Sequence, residues 1–226
     1  MRLKIWRITI PKNLPATKAI LTVFLFALAA TALAAEDATT TFNWAFVKQA
    51  ANGAATPIDF RERVNIAPGE LFKIHVQPLH DAFIYLFLLD ASGNLQVLFP
   101  LDFSLLDSPT YENTGYFIPD GDHWFTLDST RGTERFYLMA SSERLRALES
   151  LVLSYNKAAA ASQGAARQAV LDEIASVRRK HSQLTVAAEK PVTIAGGTRG
   201  INATVEKLAT RIEAPGFYYK LFRLEH

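Results

Sequence analysis

Short strand-like segments, separated by turn signals, occupy most of the chain from residue 42 to residue 140. The turn signals, such as Pro-Asp-Gly at 119–121 and Arg-Gly at 131–132, recur about every ten residues, which is typical of antiparallel sandwiches and barrels. A parallel sheet would need a crossover helix between neighbouring strands, and this stretch has no helical periodicity. The sequence therefore predicts a mainly β (α+β) fold, either an antiparallel β-sandwich or an open barrel.

Two of the strand segments differ in the pattern of their apolar residues. In 71–77 apolar and polar residues alternate, as expected for a strand with one buried face. In 82–89 every residue is apolar or aromatic, which suits a strand covered on both sides. A turn at 90–94 and a returning segment at 95–99 make this strand one half of a hairpin, which Pro100 ends. We expect the strand at 82–89 to form the core of the sheet, covered on both faces.

From residue 143 to residue 181 the pattern changes to helical spacing, with an alanine-rich break at 158–164. The residues on the apolar stripe are Leu145, Leu148, Val152, Tyr155, Val170, Ile174, Val177 and His181. Two amphipathic helices forming a hairpin are predicted, with Ser162 as the N-cap of the second helix. The stripe must pack against the chain's own sheet or against a partner, and we expect the chain's own sheet.

Strand character resumes after the helices, at 191–195, 204–213 and 217–224. Glycine and proline pairs separate these segments at 196–197 and 215–216. The helical hairpin is therefore predicted as an insertion before the last strands, which complete the sheet begun earlier.

The first 34 residues have the order of a secretory signal peptide. Five basic residues and no acidic one lie in 1–18, and the apolar run 19–35 follows them. Small residues at 32–34 match what a signal peptidase recognises, so we predict cleavage after Ala34. An uncleaved anchor is the alternative, because roughly 17 apolar residues are at the short end of a bilayer span. Export would place the mature chain in the periplasm or outside the cell.

The charge of the mature chain differs from that of the full sequence. Removal of residues 1–34 changes the formal net charge from +2 to −3, because five basic residues leave. A slightly acidic chain without a basic stripe argues against nucleic acid as a partner. The sequence has no cysteine, which excludes disulfides, cysteine nucleophiles and thiolate metal sites. Contact with the membrane is expected only through the signal segment before cleavage.

Several aspartates and glutamates are candidates for metal binding or acid–base chemistry. Asp120 and Asp122, with Asp128 a short way on, could supply oxygen ligands to calcium, but they lack the spacing and closing glutamate of an EF-hand. An ordinary turn built from Asp and Gly is the favoured interpretation. Asp128 and Glu134 could serve as a glycosidase pair, although the sequence does not give their separation. We predict no catalytic residue and no cofactor, with the three aspartates as weak metal candidates.

Three histidines, His75, His80 and His123, could in principle be ligands or general bases. They do not form a close-spaced metal motif, and His75 falls on the polar face of its strand. A solvent-exposed or structural histidine is therefore expected at each position.

The hairpin strand at 95–99 ends in Leu98, Phe99 and Pro100, and Gly132, Thr133 and Glu134 open a later strand. Together with Pro-Ile-Asp-Phe at 57–60, Pro-Gly-Glu at 68–70 and the segment 113–119, these residues resemble the DUF4384 family of domains of unknown function. The resemblance covers roughly residues 57–142. It implies a mostly β accessory module of bacterial envelope proteins, and it implies no reaction.

The Gly-Thr-Glu motif has a structural interpretation. Gly132 permits a tight start to the strand, while Thr133 and Glu134 can bond neighbouring backbone or an arginine such as Arg131 or Arg135. Together with Leu98, Phe99 and Pro100, these three residues are therefore predicted to fix strand geometry.

We expect a signal peptide at 1–34, a lead-in and first strand at 35–56, and one DUF4384-like β domain at 57–226 with a helical excursion at about 143–181. The expected function is that of an exported, noncatalytic interaction or assembly module of the bacterial cell envelope, with an envelope protein as partner. Two alternatives stay open: a carboxylate-dependent hydrolase or carbohydrate-active enzyme, and a small-ligand or calcium-binding periplasmic protein.

Overall fold

The structure is a computed structural model, which describes residues 38–127, 131–182, 187–192 and 209–225. The predicted signal segment with its cleavage site at Ala34, and Asp128, lie outside the described residues. The strands are β1 (Thr39–Gln49), β2 (Ala55–Pro57), β3 (Val64–Asn65), β4 (Leu71–His80), β5 (Phe83–Leu89), β6 (Leu95–Phe99), β7 (Tyr116–Ile118), β8 (Phe125–Thr126), β9 (Thr133–Ser141), β10 (Ala188–Val192), β11 (Ala209–Pro215) and β12 (Phe217–Glu225). The helices are α1 (Arg146–Lys157), α2 (Ala160–Lys180) and a short 3₁₀ helix (Phe103–Asp107).

The strands form two sheets that face each other as a sandwich. The first sheet has the order β10-β11-β1-β4-β7, with β2 paired to β1 and β8 paired to β4, and the second has the order β3-β12-β9-β5-β6. The described pairings are antiparallel except that of β12 with β3. The predicted mainly β fold with a helical hairpin is confirmed, and of its two forms the sandwich is the one observed.

The predicted hairpin forms from β5 and β6, and β5 is a buried interior strand that pairs with β9 on its other edge. The central strand is β9, because β5 pairs along one of its edges and β12 pairs along the other from Phe217 to Glu225. Local sequence did not reveal this arrangement, since β12 comes from the far end of the chain. The first strand, β1, lies between β4 and β11, so it belongs to the same sandwich.

Aromatic side chains from both sheets fill the space between them. The ring of Phe46 on β1 lies 5.3 Å from the ring of Phe136 on β9 and 4.8 Å from that of Phe222 on β12. Trp44 also contacts Phe222, at 4.6 Å. Edge and tilted contacts of this kind add to the free energy gained from burying apolar area. The two sheets are therefore held together by a continuous aromatic core.

The helical hairpin covers the outer face of the second sheet, as expected. Side chains at the predicted stripe positions of both helices are buried in the same core as the sheets: Leu148, Val152, Tyr155, Val170, Ile174 and Val177. The hydroxyl of Tyr155 donates a hydrogen bond to the carbonyl of Leu95 on β6, at 3.0 Å. At the other end of the hairpin, the ring of His181 stacks on Phe217 of β12. The described residues therefore form three layers: sheet, sheet and helices.

The second helix begins earlier than predicted. Ala159 occupies the N-cap position without a side-chain hydrogen bond, whereas Ser162 lies in the first turn and donates to the carbonyl of Ala159, at 3.1 Å. Alanine has the highest helix propensity, so the alanines at 160–161 extend the helix into the predicted break. In the described part of the chain, neither helix has an apolar stretch long enough to cross a bilayer.

A buried polar cluster joins the first helix to the second sheet. The hydroxyl of Tyr85 on β5 donates to Oε1 of Glu149 at 2.6 Å and accepts from the backbone N–H of Leu145 at 3.0 Å. The guanidinium of Arg144 donates to both oxygens of Glu149, each at 2.6 Å. Burial raises the pKa of Glu149, but the hydrogen bonds from Arg144 and Tyr85 outweigh burial and hold that pKa below its usual range. We call Tyr85, Glu149 and Arg144 the helix latch.

The substitution Tyr85→Phe tests the helix latch. It leaves the carboxylate of Glu149 and the N–H of Leu145 without the hydroxyl, so the free energy of unfolding should fall by about 1–3 kcal/mol. Urea denaturation at neutral pH measures this change. The matched control is Tyr137→Phe, half-buried on β9, which should change stability by less than about 0.5 kcal/mol. Equal losses in the two variants would contradict a specific role for the Tyr85 hydroxyl.

Candidate functional site

The predicted calcium turn lies against a buried lysine. Lys73 on β4 is buried, and its ammonium donates a hydrogen bond to the carbonyl of Gly121 and lies 5.1 Å from the ring centre of Trp124. Burial lowers the pKa of Lys73, while the charges of Asp122 and Asp120 act in the opposite direction. The positive charge in this turn is therefore supplied by the chain itself. Asp128, the third candidate ligand, lies outside the described residues.

Next to Lys73, His75 is buried on the outer face of the first sheet. Only 1% of its surface is exposed, so of the two expected environments the buried, structural one is observed. Its ring packs against Phe117 of β7 at 4.8 Å, and a Cβ on Gly115 would lie 3.0 Å from Nε2. Burial lowers the pKa of His75 to about 4, so the ring is neutral at physiological pH.

The other two candidate histidines, His80 and His123, are exposed. His80 lies beside Asp81 and Glu112, and one ligand atom from each of the three lies within 4.8 Å of the others. The sequence did not indicate this group, because Glu112 comes from a loop more than thirty residues away from His80 along the chain. His123 is exposed in the turn after Asp122.

The residues that carry the family resemblance lie in the core and at one turn. Leu98, Phe99 and Pro100 are buried, and the ring of Phe99 lies 4.9 Å from that of Tyr116. Glu134 accepts a hydrogen bond from the N–H of Ala91 in the β5–β6 turn, at 3.2 Å.

Gly132 approaches the same turn closely. A Cβ added to it would lie 2.4 Å from the Cβ of Ala91, so the glycine allows the start of β9 to contact the turn. Thr133 is the first residue of β9 and pairs with Glu225 of β12.

A hollow of about 400 Å³ opens at the side of the sandwich, where the loop after β2 faces β10 and β12. We call it the aromatic pocket. Its lining residues are Trp44, Ala45, Phe46, Pro57, Ile58, Asp59, Phe60, Arg61, Glu189, Pro191, Ala209, Thr210 and Lys220. The ring of Phe60 lies 4.9 Å from that of Phe46, so the pocket is lined in part by the aromatic core itself.

Opposite charges lie in pairs among the polar lining residues. The ammonium of Lys220 donates to both oxygens of Glu189, at 3.1 and 2.9 Å, and lies 5.1 Å from the ring centre of Trp44. On the other side, Arg61 donates to Asp59 and holds the pKa of that carboxyl at about 2. An aromatic surface with donors and acceptors around it can hold an apolar or aromatic group whose edges are polar.

The described carboxyls with clearly shifted pKa values all have values below the usual range. Hydrogen bonds from Arg61 and from the backbone N–H groups of Ala67 and Ser104 are the main causes at Asp59, Glu70 and Asp102, and Glu149 is held by the helix latch. A general acid requires the opposite shift, because it must keep its proton near neutral pH. These carboxyls are instead stabilised in the charged form.

The sequence did not predict the aromatic pocket. Its lining comes from five separate parts of the chain, near residues 44–46, 57–61, 189–191, 209–210 and 220. The one available signal in the sequence was the Pro-Ile-Asp-Phe segment at 57–60, which contains four of the lining residues.

A comparison with protein families finds one match. Residues 65–144 match the family "Domain of unknown function (DUF4384)", which confirms the resemblance over that range, whereas the Pro-Ile-Asp-Phe segment at 57–60 lies outside the match. The matched part runs from the end of β3 to the residues before α1, and the residues that line the aromatic pocket lie outside it. No curated protein and no solved structure matches the chain.

The burial of His75 predicts a loss of stability in mild acid. The unfolded chain binds a proton at its ordinary pKa near 6.5, whereas the folded chain does so only near 4, so protons favour the unfolded state between these values. Relative to pH 7.5, the free energy of unfolding should fall by about 2 kcal/mol at pH 5 from this residue alone. Urea denaturation at both pH values measures the fall.

In the variant His75→Gln, the free energy of unfolding should fall by about 2 kcal/mol less between pH 7.5 and pH 5, because glutamine does not titrate. The matched control is His123→Gln, at an exposed histidine, which should keep the fall seen in the parent. An identical pH dependence in the parent and in His75→Gln would show that His75 is not the group responsible.

The contact between Gly115 and His75 gives a second prediction. Gly115→Ala would place a methyl group 3.0 Å from Nε2 of the buried His75 ring, and should destabilise the protein by about 1–3 kcal/mol. Thermal unfolding measures the change. Gly164→Ala, in open space within α2, should instead stabilise by up to about 1 kcal/mol. A neutral Gly115→Ala would contradict the close packing around His75.

Proposed function

We propose that the chain is an exported, noncatalytic interaction module of the bacterial cell envelope, and that it binds a partner protein at the aromatic pocket. The observation that carries the proposal is the pocket itself, in which Trp44, Phe46 and Phe60 lie beside two ion pairs. Aromatic side chains in concave sites are among the residues that contribute most of the binding energy in protein interfaces.

The size and charge of the pocket support a protein side chain as occupant. A volume of about 400 Å³ is enough for one or two large side chains, and it is at the small end for a complete small-molecule site. The Lys220–Glu189 and Asp59–Arg61 pairs offer both donors and acceptors to the backbone of a bound segment. The pocket therefore suits an apolar anchor residue in an exposed segment of a partner.

The noncatalytic part of the proposal is supported by the carboxyl groups. Asp59, the carboxylate in the pocket, has a pKa of about 2 because Arg61 donates to it, so it is a poor general acid. Glu189 is likewise engaged, with the hydroxyl of Tyr218 and the ammonium of Lys220 as donors. Export is supported by the basic residues, the apolar run and the small residues at 32–34 of the sequence.

A small carbohydrate is the second candidate ligand. The indole of Trp44 and the polar side chains around the pocket are the groups that hold a sugar ring by its apolar face and its hydroxyls. This would make the chain a ligand-binding protein, with the same pocket used for a different occupant.

A variant that fills the pocket tests the proposal. Thr210→Phe adds a ring to a half-buried lining position without removing a charged pair, and Lys157→Phe on the exposed end of α1 is the matched control. We expect cross-linked envelopes to yield a specific protein partner with the parent and the control. The Thr210→Phe variant should recover about tenfold less of this partner, because the loss of one good anchor contact weakens binding about tenfold.

Circular dichroism must first show that both variants are folded. Equal recovery by the filled variant would contradict binding at the pocket. Binding of the parent to an envelope glycan, lost on filling, would instead establish the carbohydrate candidate.

A further inference from the structure

Three arginines surround two tyrosines on the outer face of the second sheet, beside α2. Arg135 on β9 and Arg223 on β12 are exposed, and the guanidinium of Arg178 on α2 lies 5.3 Å from the ring centre of Tyr219 on β12. Tyr137, on β9, is half-buried between them. We call these five residues the arginine corner.

The first two arginines lie directly opposite each other. Arg223 pairs with Arg135 in the β12–β9 register, and like charges at such positions destabilise a sheet. Among the described residues, none of the three arginines is in an ion pair. The acid on the same face of β12, Glu225, pairs with Arg63 at 3.5 Å. Arg135 and Arg223 are therefore adjacent cations, and no acidic residue in the described part of the chain forms an ion pair with either of them.

The tyrosines connect the cations into a strip. Tyr137 and Tyr219 lie on the same face, two and four residues along the strands from the Arg135–Arg223 pair. Burial and the neighbouring Tyr219 raise the pKa of Tyr137, while Arg135 and Arg223 act in the opposite direction, so these groups lie within electrostatic reach of one another. Four residues of extended strand span roughly 13 Å, so the arginine pair and Arg178 lie at opposite ends of the strip.

The surroundings favour a narrow ligand. Helix α2 stands on the same sheet face, with Ile174 and Val177 buried beneath it, and a helix with its side chains is about 10 Å thick. The strip is therefore a ledge at the foot of the helix. A flat bilayer surface would meet the helix before it reached the sheet, whereas an extended peptide can lie along the ledge.

We propose that the arginine corner binds an extended acidic segment of a partner protein. One carboxylate meets the Arg135–Arg223 pair, a second carboxylate about four residues away meets Arg178, and an apolar side chain between them packs on Tyr137 and Tyr219. The bound anion relieves the repulsion between the paired arginines. This surface lies on the face of β12 opposite to Lys220, so it is distinct from the aromatic pocket and does not depend on it.

The test uses the purified protein and the capped peptide Ser-Glu-Ala-Leu-Ala-Glu-Ser, with NMR chemical shifts as the readout of binding. We expect salt-sensitive shift changes at the arginine corner. The double variant Arg135→Gln with Arg223→Gln should weaken binding about tenfold or more, and Lys157→Gln, which removes one positive charge from α1, should not. The peptide with both glutamates replaced by glutamine should not bind.

Two further arms separate this proposal from its rivals. Thr210→Phe, which fills the pocket, should bind the peptide like the parent, so failure at one surface is distinguishable from failure at the other. Arg223→Gln alone should raise the thermal midpoint of the free protein by about 1–3 °C, because it removes the repulsion. A lower midpoint would show that the arginine serves the fold.

No salt-sensitive peptide binding by the parent would overturn the proposal. A second result would also overturn the proposal: the protein binds vesicles of phosphatidylcholine and phosphatidylglycerol, the arginine variants lose this binding, and the peptide does not bind.

Discussion

The contact of Phe46 with Phe136 and Phe222 is the interaction on which the rest of the structure depends. It joins β1, from the start of the described chain, to β9 and β12 in the facing sheet. Three rings that meet at tilted and edge angles fix both the separation and the relative rotation of the sheets, because aromatic pairs favour few geometries. The core places the buried Trp44 and the half-buried Phe60 at the side opening, so the aromatic pocket continues the same packing.

The second sheet needs a third layer because its strand β5 is apolar on both faces. Tyr85 and Phe87 of β5 point away from the sandwich interior and are fully buried, which only a covering element can achieve. The helical hairpin supplies the cover, and the helix latch fixes its first helix at Tyr85. A charged latch is stable at this position because Arg144 satisfies both oxygens of Glu149, whereas an unpaired carboxylate there would be costly.

Periodicity revealed the elements, and it did not reveal what covers them. The alternation in 71–77 and the two-faced run at 82–89 depend on neighbours in sequence, so β4, β5 and both helices were predictable. The burial of Lys73 and His75 was not, because Trp124, from the loop before β8, and Phe117, on β7, come from parts of the chain about 40 to 50 residues later. The aromatic pocket was hidden for the same reason, since Trp44, Phe60 and Lys220 meet only after the last strand is in place. The family match could not help, because it ends before that strand begins.

The last strand therefore determines both proposed surfaces. Along β12, Lys220 and Phe222 face the first sheet, whereas Tyr219 and Arg223 face outward, and the pairing with β9 from Phe217 to Glu225 sets which residue points where. A slip of one residue would exchange the faces, since side chains alternate strictly along a strand. It would bury Arg223 in the aromatic core and expose Phe222. The cost of burying an unpaired guanidinium excludes that register, so the charge that makes the arginine corner also protects the register that forms the aromatic pocket.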